Sequence, residues 1–246
     1  MSEIQPVANA LLGIDVSHYQ GVIDWPKVAA AGVKFVFIKA TDGATLADPM
    51  AKTNASGAAA AGLPFGFYHF WRPTDDWRAQ AEFFLSVIDD ATPLANAGLL
   101  PNVLDTEVGS LAFLPPQSHR ARKLPNVLDI EVGSLSEDNQ GDALSWLKAA
   151  PGQTAIVYVS PSYARFNLTD PAWIQYSLWS AHYTDLMQPN IDKWPSWMFW
   201  QRQGNGSIDG ISGPVDIDWF NGSESDLQKL IAVETESVRA NEATLY

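Results

Sequence analysis

Short apolar runs alternate with amphipathic or alanine-rich stretches along most of this chain. LLGIDVS (11–17) reads as a strand, WPKVAAAG (25–32) as a short helix closed by Gly32, and KFVFIKAT (34–41) as a strand rich in aromatic and β-branched residues. DPMAKTNASGAAAAG (48–62) reads as a helix ending at Gly62, and LPFGFYHF (63–70) as the next strand. DDWRAQAEFFLSVIDD (75–90) reads as a helix with acidic residues in its first turn, where the helix dipole favours them. SEDNQGDALSWLKAA (136–150) opens with capping residues and reads as a further helix. TAIVYVS (154–160), SLWSAHY (177–183), SWMFWQR (196–202) and GPVDIDWF (213–220) read as strands, and SESDLQKLIAVETESVRA (223–240) as a terminal helix.

This alternation predicts a parallel sheet with crossover helices, because parallel neighbours need long connections. About seven or eight strands in one α/β unit suit a (β/α) barrel of the TIM type, made irregular by the scarcity of helices between the later strands. An open doubly wound sheet is the structural alternative. No Gly-x-Gly-x-x-Gly or Walker loop gives such a sheet a nucleotide to hold.

Composition narrows the picture. The chain has 246 residues, is 46% hydrophobic and carries ten Trp, enough for one sizeable core. There is no Cys, which excludes disulfides, thiolate metal sites and a Cys nucleophile. The four His (His18, His69, His119 and His182) are scattered, so no metal and no cofactor is expected. A formal net charge of −13 repels nucleic acid and anionic lipid. The basic run from His119 to Lys123 reads as a solvated loop. No apolar stretch reaches membrane-spanning length, and the first residues lack the basic and apolar regions of a signal peptide. The expectation is a soluble monomer made in the cytoplasm.

In a parallel barrel, chemistry collects at the C-terminal ends of the strands. Several predicted strand ends carry polar groups: Asp15, His69, Tyr158, His182, Gln201 and Asp216. One more strand end carries an Asp-x-Glu pair, and the chain contains that pair twice. LPNVLDTEVGSL (100–111) holds Asp105 and Glu107; LPNVLDIEVGSL (124–135) holds Asp129 and Glu131. Residues i and i+2 of a strand share a face, so Asp129 and Glu131 are expected at the barrel mouth, with Leu128 and Ile130 toward the helices. Neighbouring carboxyls in a cleft repel, and one keeps its proton near neutral pH. Glycoside hydrolysis needs one protonated and one charged carboxyl. Tyr68, Trp71, Tyr158, Trp179, Tyr183, Trp197 and Trp200 lie at or near strand ends, where aromatic faces stack on sugar rings; Trp197 is expected in the core.

GIDVSHYQG (13–21), GFYHFWRP (66–73), PNVLDIE (125–131), IVYVSPSYA (156–164), LWSAHY (178–183), MFWQ (198–201) and VDIDWFNG (215–222) occur in the order found in glycoside hydrolase family 25, the Chalaropsis-type lysozymes. The resemblance covers roughly residues 11–222. It implies a flattened, irregular (β/α) barrel that cleaves the β-1,4 bond between N-acetylmuramic acid and N-acetylglucosamine in bacterial peptidoglycan, acting on the wall after release or lysis. It assigns the acid to Glu131 or Glu107. The Asp of the same pair, Asp129 or Asp105, stabilises the developing positive charge or orients the substrate N-acetyl group. The strand-one Asp is Asp15, and the late Asp is Asp216, not Asp218. Tyr68, Tyr158, His182 and Trp200 would line the sugar subsites, with His69 and Gln201 counted among the substrate-binding positions.

The family pattern has one Asp-x-Glu strand, so one copy is surplus. Long insertions fit most easily after a barrel strand, which favours the first copy. Local chemistry favours the second. Ile130 suits a helix-facing core position better than Thr106, and a short link then reaches the helix start at Ser136. The first copy runs instead into Pro115 and Pro116, which forbid a regular continuation. The expectation is therefore a catalytic barrel over 11–240 between tails at 1–10 and 241–246. The second copy serves as strand, and about 24 residues within 98–135 are looped out. The alternative is that the duplicated segment disturbs the cleft and leaves a catalytically impaired glycan-binding or structural protein.

Overall fold

The computed structural model describes residues 9–92, 126–131, 135–149 and 155–231. Among these residues, eight strands and the helices between them form one closed mixed barrel, and a ninth strand extends it. The strands are β1 (Leu11–Val16), β2 (Phe35–Asp42), β3 (Leu46–Ala47), β4 (Phe65–Phe70), β5 (Val127–Asp129), β6 (Ile156–Val159), β7 (Ser177–Ala181), β8 (Phe199–Gly206) and β9 (Val215–Phe220). The ring runs β1, β2, β4, β5, β6, β7, β8, β9 and back to β1, while β3 is a short antiparallel extension on β2. The second copy of the repeat supplies β5, hydrogen-bonded between β4 and β6. The first copy lies outside the described residues, as do the basic run, the N-terminal tail and the chain beyond residue 231.

Four helices fall where the pattern predicts them: α1 (Trp25–Ala30), α2 (Ala51–Ala60), α3 (Trp77–Ala91) and α4 (Glu137–Ala149). The start of α3 is set by Asp76, whose Oδ1 accepts the backbone N–H groups of Arg78 (2.9 Å) and Ala79 (3.0 Å). The short α5 (Pro161–Asn167) is an addition; Ser160 caps it and Pro161 opens it. A helix over 224–231, α6, follows β9.

Seven of the ring strands are parallel; β9 is antiparallel to both β8 and β1. This departs from a simple parallel alternation, and the cause is length. The β8–β9 link, 207–214, is shorter than the dozen or so residues a parallel crossover needs, so the chain turns back on itself.

Two apolar layers follow from strand alternation. Phe35, Phe37, Val127, Ile156, Trp179, Phe199 and Phe220 fill the barrel interior, and Leu227 and Ile231 of α6 pack into the same cluster. Ile14, Val36, Ile38, Phe65, Phe67, Leu128, Ile130 and Val157 face outward and pack with Phe84 of α3 and Trp146 of α4. Gly13 is required by this filling: a Cβ there would lie 2.2 Å from the Phe35 ring. A bulge in β2 between Lys39 and Thr41 shifts the register, so that Asp42 pairs with Phe70 at the mouth of the barrel.

Candidate active site

The inward face of each strand turns polar as it reaches the mouth. Asp15 lies near the end of β1, Lys39 on β2, Tyr68 and Phe70 on β4, Asp129 on β5 with Glu131 just beyond it, Tyr158 on β6, Trp179 on β7 and Gln201 on β8. Together with Tyr19, Tyr183 and Asp216 they line a cleft of about 230 Å³. The reversed β9 explains how Asp216 joins them. Its residue lies near the start of β9, and only an antiparallel strand brings that end level with Asp15, its direct partner across the β1–β9 pair. Asp218, two residues on, sits one layer deeper opposite Gly13.

A hydrogen-bond chain crosses the cleft floor. Tyr158 and Tyr183 both donate their hydroxyls to Gln201 Oε1, at 2.8 Å and 2.7 Å. That fixes the amide, whose Nε2 donates to Asp15 Oδ2 at 2.7 Å. Below it, Trp179 Nε1 donates to Asp218 Oδ1 at 3.0 Å.

The electrostatics are those of crowded acids in a dry site. Burial, reinforced by the Asp216 charge, pushes the Asp15 carboxyl well above the usual carboxylate range. Burial and the neighbouring Glu131 charge do the same to Asp129, whose Oδ1 has no hydrogen-bond partner among the described residues. Burial raises Glu131 as well, against the opposing pull of the Tyr158 hydroxyl and the Lys39 charge. Asp216 is raised to about 6, again chiefly by burial. Among the described residues lining the cleft, Lys39 is the one cation. Its Nζ stands 3.2 Å from Asp42 Oδ2 and 4.8 Å from the centre of the Phe70 ring. Arg72 grips the same Asp42 with both forks, at 2.6 Å and 3.0 Å, so the bulge carries a braced ion cluster beside the cleft.

Residues 14–211 match the family model described as Glycosyl hydrolases family 25. The chain belongs to that family. Lysozyme M1 of Streptomyces globisporus is 32% identical over 228 residues, covering 90% of this chain and 71% of that protein. The uncharacterized protein YegX of Escherichia coli (strain K12) is 33% identical over 235 residues, covering 92% of this chain and 75% of that protein. Among solved structures, the bacterial lysozyme from Streptomyces coelicolor superposes with a TM-score of 0.69 at 28% identity, over 92% of this chain and 98% of that one. A family 25 glycosyl hydrolase from Bacillus anthracis shares the fold at a TM-score of 0.70 and 23% identity, over 93% of this chain and 94% of that one. Family membership makes the protein a glycoside hydrolase.

Within this family 25 barrel, three of the residues expected at the substrate face elsewhere. His69 follows the inward Tyr68 and therefore points outward. It is fully buried, with Nδ1 2.7 Å from Thr41 Oγ1 and Nε2 3.0 Å from Gln80 Oε1, and it stacks on Trp146 with ring centres 5.1 Å apart. Burial lowers its pKa from 6.5 to about 4, so it is neutral in the working range. Trp200 precedes the inward Gln201 and is buried in the outer layer, donating Nε1–H to the His182 carbonyl at 2.7 Å. His182 precedes Tyr183; its Nδ1 accepts the Asn190 N–H at 3.1 Å, and it is not among the cleft residues. Asp105 and Glu107 lie outside the described residues.

Lys39, Phe70 and Tyr19 line the cleft without having been singled out from the sequence. Lys39 carried a signal: it continues the inward phase of Phe35 and Phe37, and a cation in phase with a barrel interior has only the mouth to go to.

Proposed function

We propose that this protein is a lysozyme that hydrolyses the β-1,4 bond between N-acetylmuramic acid and N-acetylglucosamine in peptidoglycan, with Glu131 as the proton donor. The observation that carries this reading is the convergence of Asp15, Asp129, Glu131 and Asp216, from three strands, on one aromatic-walled cleft. Glu131 is the exposed member and Asp129 the buried one. An acid must reach the glycosidic oxygen with its proton; Glu131 is the carboxyl open to the cleft, and burial raises it from its ordinary value. Asp129, one strand layer deeper, stands under the ring carbons where positive charge develops. Asp15 and Asp216 complete the negative field of the cleft. Tyr68, Tyr158 and Gln201 are the substrate-side groups, with Tyr183 and Trp179 as stacking and wall surfaces.

The kinship with Lysozyme M1 of Streptomyces globisporus supports the wall as substrate. The partner is bacterial peptidoglycan, met by a monomer after release or lysis, with no part for nucleic acid or membrane. Among the described residues no helix is long and apolar enough to cross a membrane, and no cluster of acidic and His side chains is arranged to hold a metal ion. The first copy of the repeat, 100–111, is surplus to the chemistry. The impaired, glycan-binding alternative draws no support from the family match. The test is clearing of bacterial wall suspensions. Glu131→Gln should abolish clearing with binding retained, and Glu107→Gln should leave most of it; a dead Glu107→Gln beside an active Glu131→Gln would overturn the assignment.

A further inference from the structure

Asp218 is a carboxyl of the β9 motif for which the proposed chemistry has no task. None of its surface reaches solvent. Its Oδ1 is satisfied by Trp179 Nε1–H, but Oδ2 receives no donor from the described residues. Its neighbour is the carboxyl of Asp15: Asp218 pairs with Gly13 and Asp15 with Asp216, so the two carboxyls are diagonal neighbours on the inward face of the β1–β9 pair. Two buried carboxyls in contact cannot both be ionised without strong repulsion, whereas one proton between them turns the contact into a charge-assisted hydrogen bond.

The surroundings decide which of the two holds the proton. Asp15 is the better anion. It receives Gln201 Nε2–H at 2.7 Å, and two tyrosine hydroxyls donating into Gln201 Oε1 fix that amide so that only its NH₂ group can face Asp15. Asp218 lies deeper and has one donor. We propose that Asp218 is a positioning residue, protonated at neutral pH, whose Oδ2–H donates to the Asp15 carboxylate and holds it as an oriented anion beneath the cleft. The groups facing Asp218 agree. Asp15 from β1 and Asp216 on its own strand both present negative charge. Together with burial they press its carboxyl well above the usual range, and only the neutral Trp179 N–H opposes them. Tyr183, also facing this acid cluster, is itself raised and stays neutral. Lys39, the cation of the cleft, acts on Asp129 and Glu131 instead.

The proposal rests on the reading of Asp15 as part of the catalytic carboxylate set, and two variants with two readouts test it. Asn at 218 keeps an acceptor for Trp179 and turns an N–H donor toward Asp15, reproducing a protonated Asp. Asp218→Asn should therefore keep kcat on soluble peptidoglycan fragments within about threefold of the parent, whereas Asp218→Leu, which has no donor, should lose about tenfold or more in kcat with KM nearly unchanged. Infrared spectra of protein carrying ¹³C-labelled Asp at pH 7 should show a protonated-carboxyl band that disappears in Asp218→Asn, with no matching loss from the carboxylate band. An Asp218→Asn variant as slow as Asp218→Leu, or an unchanged protonated-carboxyl band, overturns the proposal. Should Asp218→Leu fail to fold, Asp218→Asn and the infrared comparison still decide it. A parent protein that clears no wall defeats the lysozyme reading, while the spectra continue to report where the proton sits.

Discussion

Tyr68 and His69 are neighbours on β4, and they belong to two regions of the barrel that handle buried ionisable groups in opposite ways. On the helix-facing side, His69 is held by Thr41 and Gln80 and stacked on Trp146, while Gln80 also takes the Arg72 N–H and donates to the carbonyls of Arg72 and Asp75. The ring is neutral and both its nitrogens have partners. On the cleft side, Asp129 Oδ1 and Asp218 Oδ2 are buried with no donor among the described residues, and four acids sit within one another's fields. The His69 network is paired and builds rigidity, although the Trp71 and Trp146 indoles of the same layer have no partner among the described residues; unpaired buried carboxyls store unfavourable electrostatics that a reaction can relieve. Substitutions that lower stability should therefore map to the outer layer, and those that lower turnover while sparing stability should map to the cleft.

The largest expected effect is at the acids. Removing a general acid costs about 10²–10⁴-fold in rate, so Glu131→Gln should show that loss in wall clearing. Asp129→Asn should also lose activity, yet its thermal midpoint should rise, because a buried carboxyl facing Glu131 becomes a neutral amide. A fall in the midpoint of Asp129→Asn would show that the cleft is not under electrostatic strain. Next comes His69→Ala, which leaves Thr41 and Gln80 unpaired and opens a gap against Trp146. A loss of about 2–4 kcal/mol in unfolding free energy is expected from a cavity with orphaned polar groups, with kcat for the folded fraction little changed. A selective fall in kcat at unchanged stability would return His69 to the substrate side.

The two regions also oppose each other in pH. His69 is a base whose folded pKa, about 4, lies below its ordinary 6.5. Its contribution to stability is complete above 6.5 and is lost as pH falls toward 4. Asp216 is an acid whose folded pKa, about 6, lies above its ordinary 3.8. Its contribution is complete below 3.8 and is lost as pH rises through 6. Between pH 4 and 6 the slopes have opposite signs and partly cancel. Chemical denaturation across that window should show parent stability falling as pH rises, because the raised Asp15, Asp129 and Asp218 carboxyls add to the Asp216 slope. Asp216→Asn should flatten that fall, and His69→Phe should widen the margin by which the protein is more stable at pH 4 than at pH 6. Parallel profiles for all three proteins would show that neither group titrates with the fold.

Much of this division was legible in the chain, and its failures share one cause. Strand–helix alternation gave the barrel, and the Asp-x-Glu spacing gave a shared inward face with Leu128 and Ile130 toward the helices. The errors at His69, Trp200 and His182 are each a single residue from a cleft side chain: Tyr68, Gln201 and Tyr183. FGFYHF and the strands after it are apolar on both faces, as buried barrel strands are, so composition alone does not reveal the phase. Only pairing register does. The direction of β9 was hidden for a similar reason: a strand carries no mark of its orientation, and the short 207–214 link was the one available clue. The β2 bulge at Lys39 reverses the phase within a single strand, which no periodicity argument tracks.

The finest division of the two regions runs through the two tyrosines on Gln201. Tyr158 is buried on β6, while Tyr183 is 60% exposed on the segment after β7, and both donate to the same oxygen. Removing one donor leaves Gln201 Oε1 with the other, so the amide keeps its orientation in either single variant. Tyr183→Phe loses a hydrogen bond that water can replace, and a two- to threefold fall in kcat/KM is the expected outcome, at about 0.5 kcal/mol. Tyr158→Phe strips a buried hydroxyl beside Glu131 and should cost several-fold more, with the acid's pKa rising because the hydroxyl's stabilising hydrogen bond is gone. The alkaline limb of its pH–rate profile should therefore move upward while that of Tyr183→Phe stays in place. The double variant leaves Gln201 Oε1 without either hydroxyl and frees the amide to flip its oxygen toward Asp15, so its loss should exceed the product of the two single losses. Simple multiplication of the two effects would mean that Gln201 is held by its packing and not by the tyrosine pair.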